Sequence, residues 1–182
     1  RPMANRHNHY EAAFEAYLQS QQVAYVAVNE QRRSRIAGGS LKNVDYLVSP
    51  ADGATFLIDV KGRRFPSGNR SKQYWKNWST MDDLRSLARW QEALGSGAVA
   101  MFLFAYHIVS DHAPIPSDLL FEHRDRRYAF LAVRVADYIQ KSKPLSQKWQ
   151  TVTMSADRFR EAAVPFGELI GPEPSTSNRS AR

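Results

Sequence analysis

Three charged residues interrupt two apolar runs that otherwise have the composition of β-strands. Asp45 lies in the run 41–49, and Asp59 and Lys61 lie two residues apart in the run 54–61. Side chains alternate between the faces of a strand, so Asp59 and Lys61 point to the same face. A Pro and an Asp-Gly pair between the runs predict a hairpin, which places Asp45 across from Asp59. Two carboxylates beside an ammonium indicate a site for a divalent cation and an activated water.

An Asp-x-Lys pattern alone is weak evidence for catalysis. Such a pair is often a surface ion pair, which contributes under about 1 kcal/mol. The surroundings strengthen the functional interpretation, because charged residues are disfavoured inside apolar strand-like runs unless they have a purpose. Mg²⁺ binds through one or two carboxylates and keeps waters for a substrate phosphate, and a nearby lysine can orient the attacking water. The pattern therefore favours a metal site over a purely structural pair.

The periodicity of the apolar residues predicts the elements that hold these side chains. Residues 8–21 have the spacing of an amphipathic helix, with Asn8 as its N-cap. The other predicted elements are a strand at 23–29, a hairpin of strands at 41–49 and 54–61, a loop at 62–80, a helix at 81–94 that is capped by Ser79 or Thr80 and ended by Gly95, a central strand at 98–106, an irregular segment at 107–127, a strand at 128–135, a short helix at 136–141, a strand at 149–154 and a short helix capped by Ser155.

Helices and strands are interleaved along the chain, so the expected fold is α/β with a mixed central β-sheet flanked by helices. The order is helix, three strands, helix and strand, followed by C-terminal additions. The 182 residues suffice for one domain whose core needs no disulfide. We expect a single domain over residues 1–170 and a disordered tail, rich in Pro and Ser, over residues 171–182.

The composition excludes several classes of site. The sequence has no cysteine, which rules out disulfides, thiolate zinc sites and cysteine nucleophiles and suits a reducing, cytoplasmic compartment. No apolar run approaches the roughly 20 residues that a membrane helix needs, so no membrane association is expected. The chain begins at Arg1 rather than at Met, which leaves open a preceding start, tag or signal. The net charge of +7 favours a polyanionic partner such as nucleic acid, although solubility alone can account for it.

The predicted loop after Lys61 has a composition suited to nucleic acid. Residues 62–80 contain no acidic residue. The basic residues of the loop are Arg63, Arg64, Arg70, Lys72 and Lys76, and its aromatic residues are Phe65, Tyr74, Trp75 and Trp78. Cations bind phosphates and flat rings stack on unpaired bases, so we expect this loop to bind a polynucleotide, with Tyr74 as the aromatic contact. Trp75 and Trp78 are expected to pack against the core. The alternative is that all the aromatic residues pack and the basic residues are only solvated.

A second basic cluster follows the first predicted strand. It consists of Arg32, Arg33 and Arg35, close in sequence to Gly38 and Gly39. A mobile loop that contacts phosphates and a solvated surface loop are equally compatible with this pattern. The two glycines match neither a P-loop nor a dinucleotide fingerprint.

The arrangement of these residues resembles the PD-(D/E)xK nuclease superfamily. A helix with a glutamate is followed by Asp45, by Asp59-Val60-Lys61 across a hairpin, and then by a helix and a strand. The likeness covers about residues 8–106 and is strongest to the branch that contains archaeal Holliday junction resolvases and small restriction-type endonucleases. Val44 stands where the family's proline would be. The fold that the resemblance implies is a restriction endonuclease-like core.

The resemblance also implies roles for individual residues. Asp45, Asp59 and Glu11 correspond to the acids that hold Mg²⁺ or Mn²⁺, and Lys61 corresponds to the lysine that positions or deprotonates the attacking water. Glu11 borders the apolar face of its helix, whereas Glu15 lies further round toward solvent. The backbone carbonyl of Val60 is a further potential ligand. Gln91, on the helix over 81–94, is a potential accessory residue.

The predicted function is metal-dependent hydrolysis of DNA phosphodiester bonds, in repair, recombination or restriction. DNA is favoured over RNA as the partner, and a homodimer is compatible with the superfamily. Two alternatives remain open. The first is a catalytically inactive nuclease-fold module that binds nucleic acid or a protein partner. In the second, the chain contacts no nucleic acid, its charge serves solubility, and the tryptophan-rich loop forms a dimer interface.

Overall fold

The computed structural model describes residues 8–28, 33–36, 39–51, 53–67, 74–111 and 113–171. The tail predicted over residues 171–182 lies outside these ranges, except for its first residue. The helices are α1 (His9–Ser20), α2 (Met81–Leu94), α3 (Val135–Lys141) and α4 (Ala156–Ala162). The strands are β1 (Ala24–Ala27), β2 (Arg33–Ile36), β3 (Gly39–Lys42), β4 (Tyr46–Ser49), β5 (Thr55–Phe65), β6 (Ser79–Thr80), β7 (Ala98–Ile108), β8 (Phe121–His123), β9 (Arg126–Arg134), β10 (Lys143–Ser146), β11 (Thr151–Thr153) and β12 (Val164–Pro165).

A mixed sheet forms the centre of the molecule, as the sequence predicts. Its strand order is β1-β4-β5-β7-β9-β12, with β8 paired to β9. β5 and β7 run parallel over their full length, from Thr55 opposite Ala98 to Phe65 opposite Ile108. The flanking pairs β4–β5 and β7–β9 are antiparallel. β7 is buried along most of its length because both faces of the sheet are covered, which explains its continuous apolar sequence.

Helices cover the two faces of the sheet and create two apolar layers. On one face, Phe14 and Leu18 of α1 are fully buried against β4, β5, β7 and β9. On the other face, α2, α3 and α4 pack over Leu57, Phe102 and their neighbours. The three caps that the sequence predicts are present, since the side chains of Asn8, Thr80 and Ser155 accept hydrogen bonds from the first turns of α1, α2 and α4. No helix in the described ranges is long and apolar enough to span a membrane.

The region before Asp45 differs from the sequence prediction. The expected strand at 41–49 is two strands, because residues 39–42 pair with β2 in a separate ribbon and β4 begins only at Tyr46. The expected loop at Arg33 and Arg35 is therefore part of this ribbon. The predicted long strand was wrong because residues 39–42 and 46–49 pair with different partners. The break leaves Asp45 at the point where β4 meets β5.

Two further segments are more regular than predicted. β5 continues through Arg63 and Arg64 to Phe65, because β7 offers hydrogen-bonding partners up to Ile108. The segment over 107–127 contains a tight hairpin between β8 and β9, rather than being wholly irregular. The two turn residues of this hairpin have positive φ angles, 48° at Arg124 and 60° at Asp125. Asp125 is of a type that adopts positive φ in turns, but Arg124 is not, so the pair gives only a weak sequence signal.

Candidate active site

β5 presents Asp59 and Lys61 on the face of the sheet that α2 covers. Ile58 and Val60 point to the α1 face, so the alternation predicted from the sequence is observed. Asp59 is buried, with 6 % of its surface exposed. Lys61 Nζ lies 2.9 Å from Asp59 Oδ1. The two charges therefore form an ion pair that is shielded from solvent, and not the exposed surface ion pair that an Asp-x-Lys pattern often represents.

Asp45 joins this pair from the neighbouring strand. Its amide donates to Ile58 O at 2.8 Å, and its Oδ2 accepts from the Val60 amide at 2.7 Å. The carboxylate thus takes the place of a backbone carbonyl in the ladder, directly before β4 begins. These two hydrogen bonds to β5 hold Asp45 beside the segment of Asp59 and Lys61. The hairpin places Asp45, directly before β4, across from the middle of β5 where Asp59 lies, as the sequence predicts.

Two residues outside the predicted site, Asp83 and Lys42, join Asp45, Asp59 and Lys61 in one charge cluster. Asp83, in the first turn of α2, accepts from Lys61 Nζ at 2.6 Å through Oδ2 and from Lys42 Nζ at 2.7 Å through Oδ1. An acid such as Asp83 in the first turn of a helix has an ordinary local explanation in the sequence. A signal was available, because Asp83 shares the buried side of α2 with Leu84 and Leu87, where an acid needs a partner. Lys42 has no comparable signal in the sequence.

The pKa values reflect different balances between burial and charge. Burial raises the pKa of Asp59 against the effect of Lys61, and the negative charge of Asp83 raises it further. Burial also tends to raise the pKa of Asp83, but Lys61 and Lys42 outweigh it and lower this pKa to about 2. For Lys42, burial lowers the pKa, but the hydrogen bond and charge of Asp83 and the charges of Asp59 and Asp45 raise it overall. Asp83 therefore remains ionised between two ammonium groups, while the charge on Asp59 is poorly compensated.

The donor set at this position fits a hard divalent cation. Asp45 and Asp59 offer carboxylate oxygens, the ligands that Mg²⁺ and Mn²⁺ prefer. The raised pKa of Asp59 has a physical consequence, since a bound cation would stabilise its ionised form.

Glu11 is not joined to Asp45 and Asp59 in this structure. It lies in the first turn of α1, on the other face of the sheet, and its Oε1 accepts from Asn8 Nδ2 at 3.2 Å. Among the described residues, no three Asp, Glu or His side chains form a group that could hold a metal ion. A role for Glu11 as a metal ligand therefore stays a prediction.

The accessory residue predicted on α2 has a structural contact. Gln91 Oε1 accepts from the Ala100 amide at 2.7 Å and so ties the last turns of α2 to the start of β7. Ala100 lies opposite Leu57, two residues before the position of Asp59 on the sheet. α2 therefore contributes its first turn to the charge cluster through Asp83. An accessory role for Gln91 and ligation by the Val60 carbonyl stay predictions.

The neighbouring arginines at the end of β5 have different environments. Arg63 is on the α2 face, where its guanidinium donates to Gly62 O at 2.8 Å and Trp78 O at 2.6 Å and lies 4.4 Å from the Trp78 ring centroid. Burial lowers the pKa of this guanidinium. Arg64 points to the opposite face and is exposed. Arg63 thus fastens the chain around Trp78, and Arg64 is the better placed of the two to meet a ligand.

The aromatic residues after β5 divide into packed and exposed groups. Trp75 stacks on Phe65 with ring centroids 3.9 Å apart and contacts Tyr106 edge-on at 4.5 Å, the packing role that the sequence predicts. Tyr74 is 44 % exposed and Trp78 is 39 % exposed. Lys76 is exposed as well. Tyr74 and Lys76 therefore remain accessible for the predicted contact with a polynucleotide.

The other basic residues that the sequence predicts to bind a polynucleotide lie in β2 or outside the described ranges. Arg32, Arg70 and Lys72 lie outside the described residues. Arg33 and Arg35 lie in β2, opposite Lys42 and Ser40 of β3, and their side chains are not described. The ribbon they belong to ends at Lys42, whose amide donates to Ser86 Oγ at 3.2 Å and whose carbonyl accepts from Trp90 Nε1 at 3.0 Å. α2 therefore anchors the ribbon next to the charge cluster.

A groove of about 690 Å³ opens beside the cluster. Its lining comes from the end of β3, the start of α2 and the chain before β11. The lining residues are Lys42, Thr80, Asp82, Asp83, Arg85, Trp149 and Gln150. Trp149 is 70 % exposed and presents a flat ring at the rim of the groove.

The fold of this chain has a counterpart among solved structures. The mixed sheet flanked by helices is a restriction endonuclease-like fold. The comparison that carries this statement is with Hjc from Archaeoglobus fulgidus, a Holliday junction resolvase from an archaeal hyperthermophile. The likeness has a TM-score of 0.55 at 12 % sequence identity and covers 90 % of this chain and 98 % of the Hjc chain. No family model and no curated protein matches the sequence.

Proposed function

We propose that this protein is a metal-dependent nuclease that hydrolyses DNA phosphodiester bonds. The observation that carries the proposal is the shielded pair of Asp59 and Lys61 on β5, with the Asp45 carboxylate hydrogen-bonded to the amide of Val60 between them. The likeness to Hjc in fold supports it. Asp45 and Asp59 would hold Mg²⁺ or Mn²⁺, with Glu11 and the Val60 carbonyl as further predicted ligands. A bound divalent ion stabilises developing charge on a phosphate and lowers the pKa of a coordinated water.

The chain's own residues would prepare the attack. Lys61 Nζ, held between Asp59 and Asp83, presents a hydrogen-bond donor to the attacking water or to a phosphate oxygen. Water adds its oxygen to phosphorus and loses a proton to a nearby base or to solvent. The bond from phosphorus to the leaving sugar oxygen breaks, and that oxygen takes up a proton. Asp83 does not touch the substrate in this scheme and serves to position Lys61.

The rest of the proposal concerns binding and context. We assign polynucleotide contacts to the basic and aromatic residues for which the sequence predicts this role, which are Arg32, Arg33, Arg35, Arg63, Arg64, Arg70, Lys72, Tyr74 and Lys76. The hydrogen bonds of Arg63 to the backbone make it the weakest member of this set. Gln91 is kept as an accessory residue. A cytoplasmic location, a single domain over residues 1–170 and a homodimer also belong to the proposal, and DNA is favoured over RNA.

A panel of substrates tests the proposal directly. Purified protein is incubated with four-way junctions, flaps, single strands, duplexes and RNA, with Mg²⁺, Mn²⁺ or EDTA. We expect cleavage of at least one DNA form that needs the metal and is lost in Asp59→Ala and Lys61→Ala, while both variants remain folded. If no form is cleaved with either metal, the enzyme proposal is wrong.

One observation favours a second candidate, a module that binds DNA without cutting it. Lys61 forms ion pairs with both Asp59 and Asp83. In addition, the described residues include no group of three acids or histidines that could hold a metal ion. Steep dependence of DNA binding on salt, without turnover in any metal, would identify this second function.

A further inference from the structure

A cluster of basic and aromatic side chains lies on the α1 face of the sheet, opposite the charge cluster. Three of its members form one row across three strands, since Arg64 of β5 lies opposite His107 of β7, and His107 lies opposite Tyr128 of β9. Arg126 is two residues before Tyr128 and therefore points to the same face. The row lies at the end of β5 that follows Lys61.

The first turn of α1 closes this cluster from above. His9 Nδ1 lies 2.9 Å from Tyr128 Oη, and the rings of His9 and His107 meet edge to face at 5.5 Å. Tyr10 lies directly on Gly62, since a β-carbon added at Gly62 would be 2.2 Å from Tyr10 Cδ2. The site is thus built from α1 and three strands rather than from one exposed segment.

The charges around the two histidines are positive. Burial lowers the pKa of His9, and Arg126 and His107 lower it further. Burial likewise lowers the pKa of His107, followed by Arg126 and Arg64. The titratable groups that neighbour the two histidines on the packed elements include Tyr10, Tyr128, Glu11, Glu122, His123 and Asp125. Glu11 is bonded to Asn8, Glu122 points to the opposite face of β8, and Asp125 lies in the hairpin turn.

His123 adds a further imidazole to this face of the sheet. It lies opposite Arg126 in the β8–β9 ladder, and its Nε2 is shielded from solvent without a hydrogen-bond partner among the described residues. The positive charges of Arg126 and Arg64 both act on the His107 imidazole, so positive charge collects on this face of the sheet. A bound anion would relieve the repulsion between the arginines and favour protonation of His107.

We propose that Arg64, Arg126, His9 and His107 form a binding site for a phosphate group of a polynucleotide backbone. Tyr10 and Tyr128 form its walls. Arg64 follows Lys61 by three residues, which is about 10 Å along the strand. One polynucleotide that passes over the end of β5 can therefore reach both faces of the sheet. The inference rests on the proposed function for its ligand, but it concerns binding and not cleavage.

Binding to a fluorescent DNA duplex, measured in EDTA over a series of salt concentrations, tests the site. We expect Arg64→Gln and Arg126→Gln each to lower the affinity about tenfold and to reduce the slope of log K against log salt by about 1. Arg160→Gln is the matched control, because Arg160 is exposed on α4 and pairs with Asp157. We expect this variant to bind as the wild type does.

His107 supplies a readout that simple loss of charge does not. Wild type is expected to bind DNA more tightly at about pH 6 than at about pH 8, and His107→Gln is expected to flatten this difference. The proposal would be overturned if the Arg64 and Arg126 variants bound DNA as tightly as wild type does. It would also be overturned if the pH dependence were unchanged in His107→Gln. Inorganic phosphate that shifts the His9 and His107 NMR signals, without DNA binding, would overturn the polynucleotide assignment. Failure of the nuclease proposal is a separate result, since cleavage does not occur in EDTA.

Discussion

Lys61 donates to Asp83 at 2.6 Å, a shorter contact than the 2.9 Å that separates it from Asp59 two residues away on the same strand. The lysine of the Asp-x-Lys pattern is therefore held by a residue from a different element. Lys42, on the other side of Asp83, completes a row in which the charges alternate from Lys42 to Asp83 to Lys61 to Asp59. The position of Lys61 depends on the first turn of α2 as well as on β5.

This dependence makes Asp83 a positioning residue for the proposed reaction. Asp83→Asn is expected to lower kcat about 10- to 100-fold with little change in KM, because a small displacement of a reacting group costs that much. The free energy of unfolding is expected to fall by about 2 kcal/mol, since a hydrogen bond to a charged group contributes about that much. Steady-state kinetics and urea unfolding measure the two effects. Asp82→Asn, which changes the adjacent exposed acid, is the control; equal behaviour of both variants would refute the role of Asp83.

The pKa of Asp83 predicts how stability depends on pH. This pKa falls from its usual 3.8 to about 2 on folding, so the ionised carboxylate stabilises the fold above about pH 4. The contribution is lost as the pH falls from 4 to 2, and it amounts to about 2 kcal/mol. The stability difference between wild type and Asp83→Asn should therefore shrink over this range in urea unfolding experiments.

Asp59 provides a contrast with the opposite sign. Its pKa is raised on folding, so its ionisation opposes folding as the pH rises above the usual carboxyl range. Asp59→Asn should gain stability relative to wild type as the pH increases, while it loses the proposed activity. Parallel pH dependences for the Asp59 and Asp83 variants would contradict this assignment of the two carboxylates.

Arg63 is predicted to be structural despite its place in a basic segment. Arg63→Ala removes two hydrogen bonds to backbone carbonyls and the contact with the Trp78 ring, so we expect a loss of about 2 kcal/mol in unfolding free energy. Arg64→Ala should change stability by less than about 0.5 kcal/mol, since Arg64 is exposed. Urea unfolding followed by tryptophan fluorescence compares them. A stable Arg63→Ala protein with reduced DNA affinity would reverse this interpretation.

Gly62 permits the close approach of α1 to β5. Gly62→Ala would place a β-carbon against the Tyr10 ring, and we expect a loss of about 1–3 kcal/mol as α1 shifts. Gly97→Ala is the matched control, because a β-carbon there meets nothing within 4 Å. Thermal or urea unfolding of the two variants makes the comparison. A fully stable Gly62→Ala protein would mean that α1 is not held at this position.

Local signals predicted the elements whose residues determine their own conformation. The Asn8 and Thr80 caps, the apolar spacing of α1 and the continuous run of β7 were readable in the sequence and are confirmed. The β4–β5 hairpin was also predicted, and it brings Asp45 to Val60.

Other features depend on partners that are distant in sequence. Asp83 lies 22 residues from Lys61 and 41 from Lys42, and an acid in a first helical turn has an ordinary local explanation. The ribbon of β2 and β3 interrupts a stretch whose composition suits one continuous strand. The small sheet of β10, β11 and β6 is held by tertiary pairing of short segments. Only the assembled fold decides such features.

The central claim is that Asp45 and Asp59 form a divalent-metal site beside Lys61. Crystals of wild type and Asp59→Asn soaked in Mn²⁺ test it through the anomalous signal of the ion. We predict a peak within coordinating distance of both carboxylates in the wild type and its loss in the variant. A wild type without a peak at these carboxylates under saturating Mn²⁺, or a peak that persists unchanged in Asp59→Asn, would contradict the account.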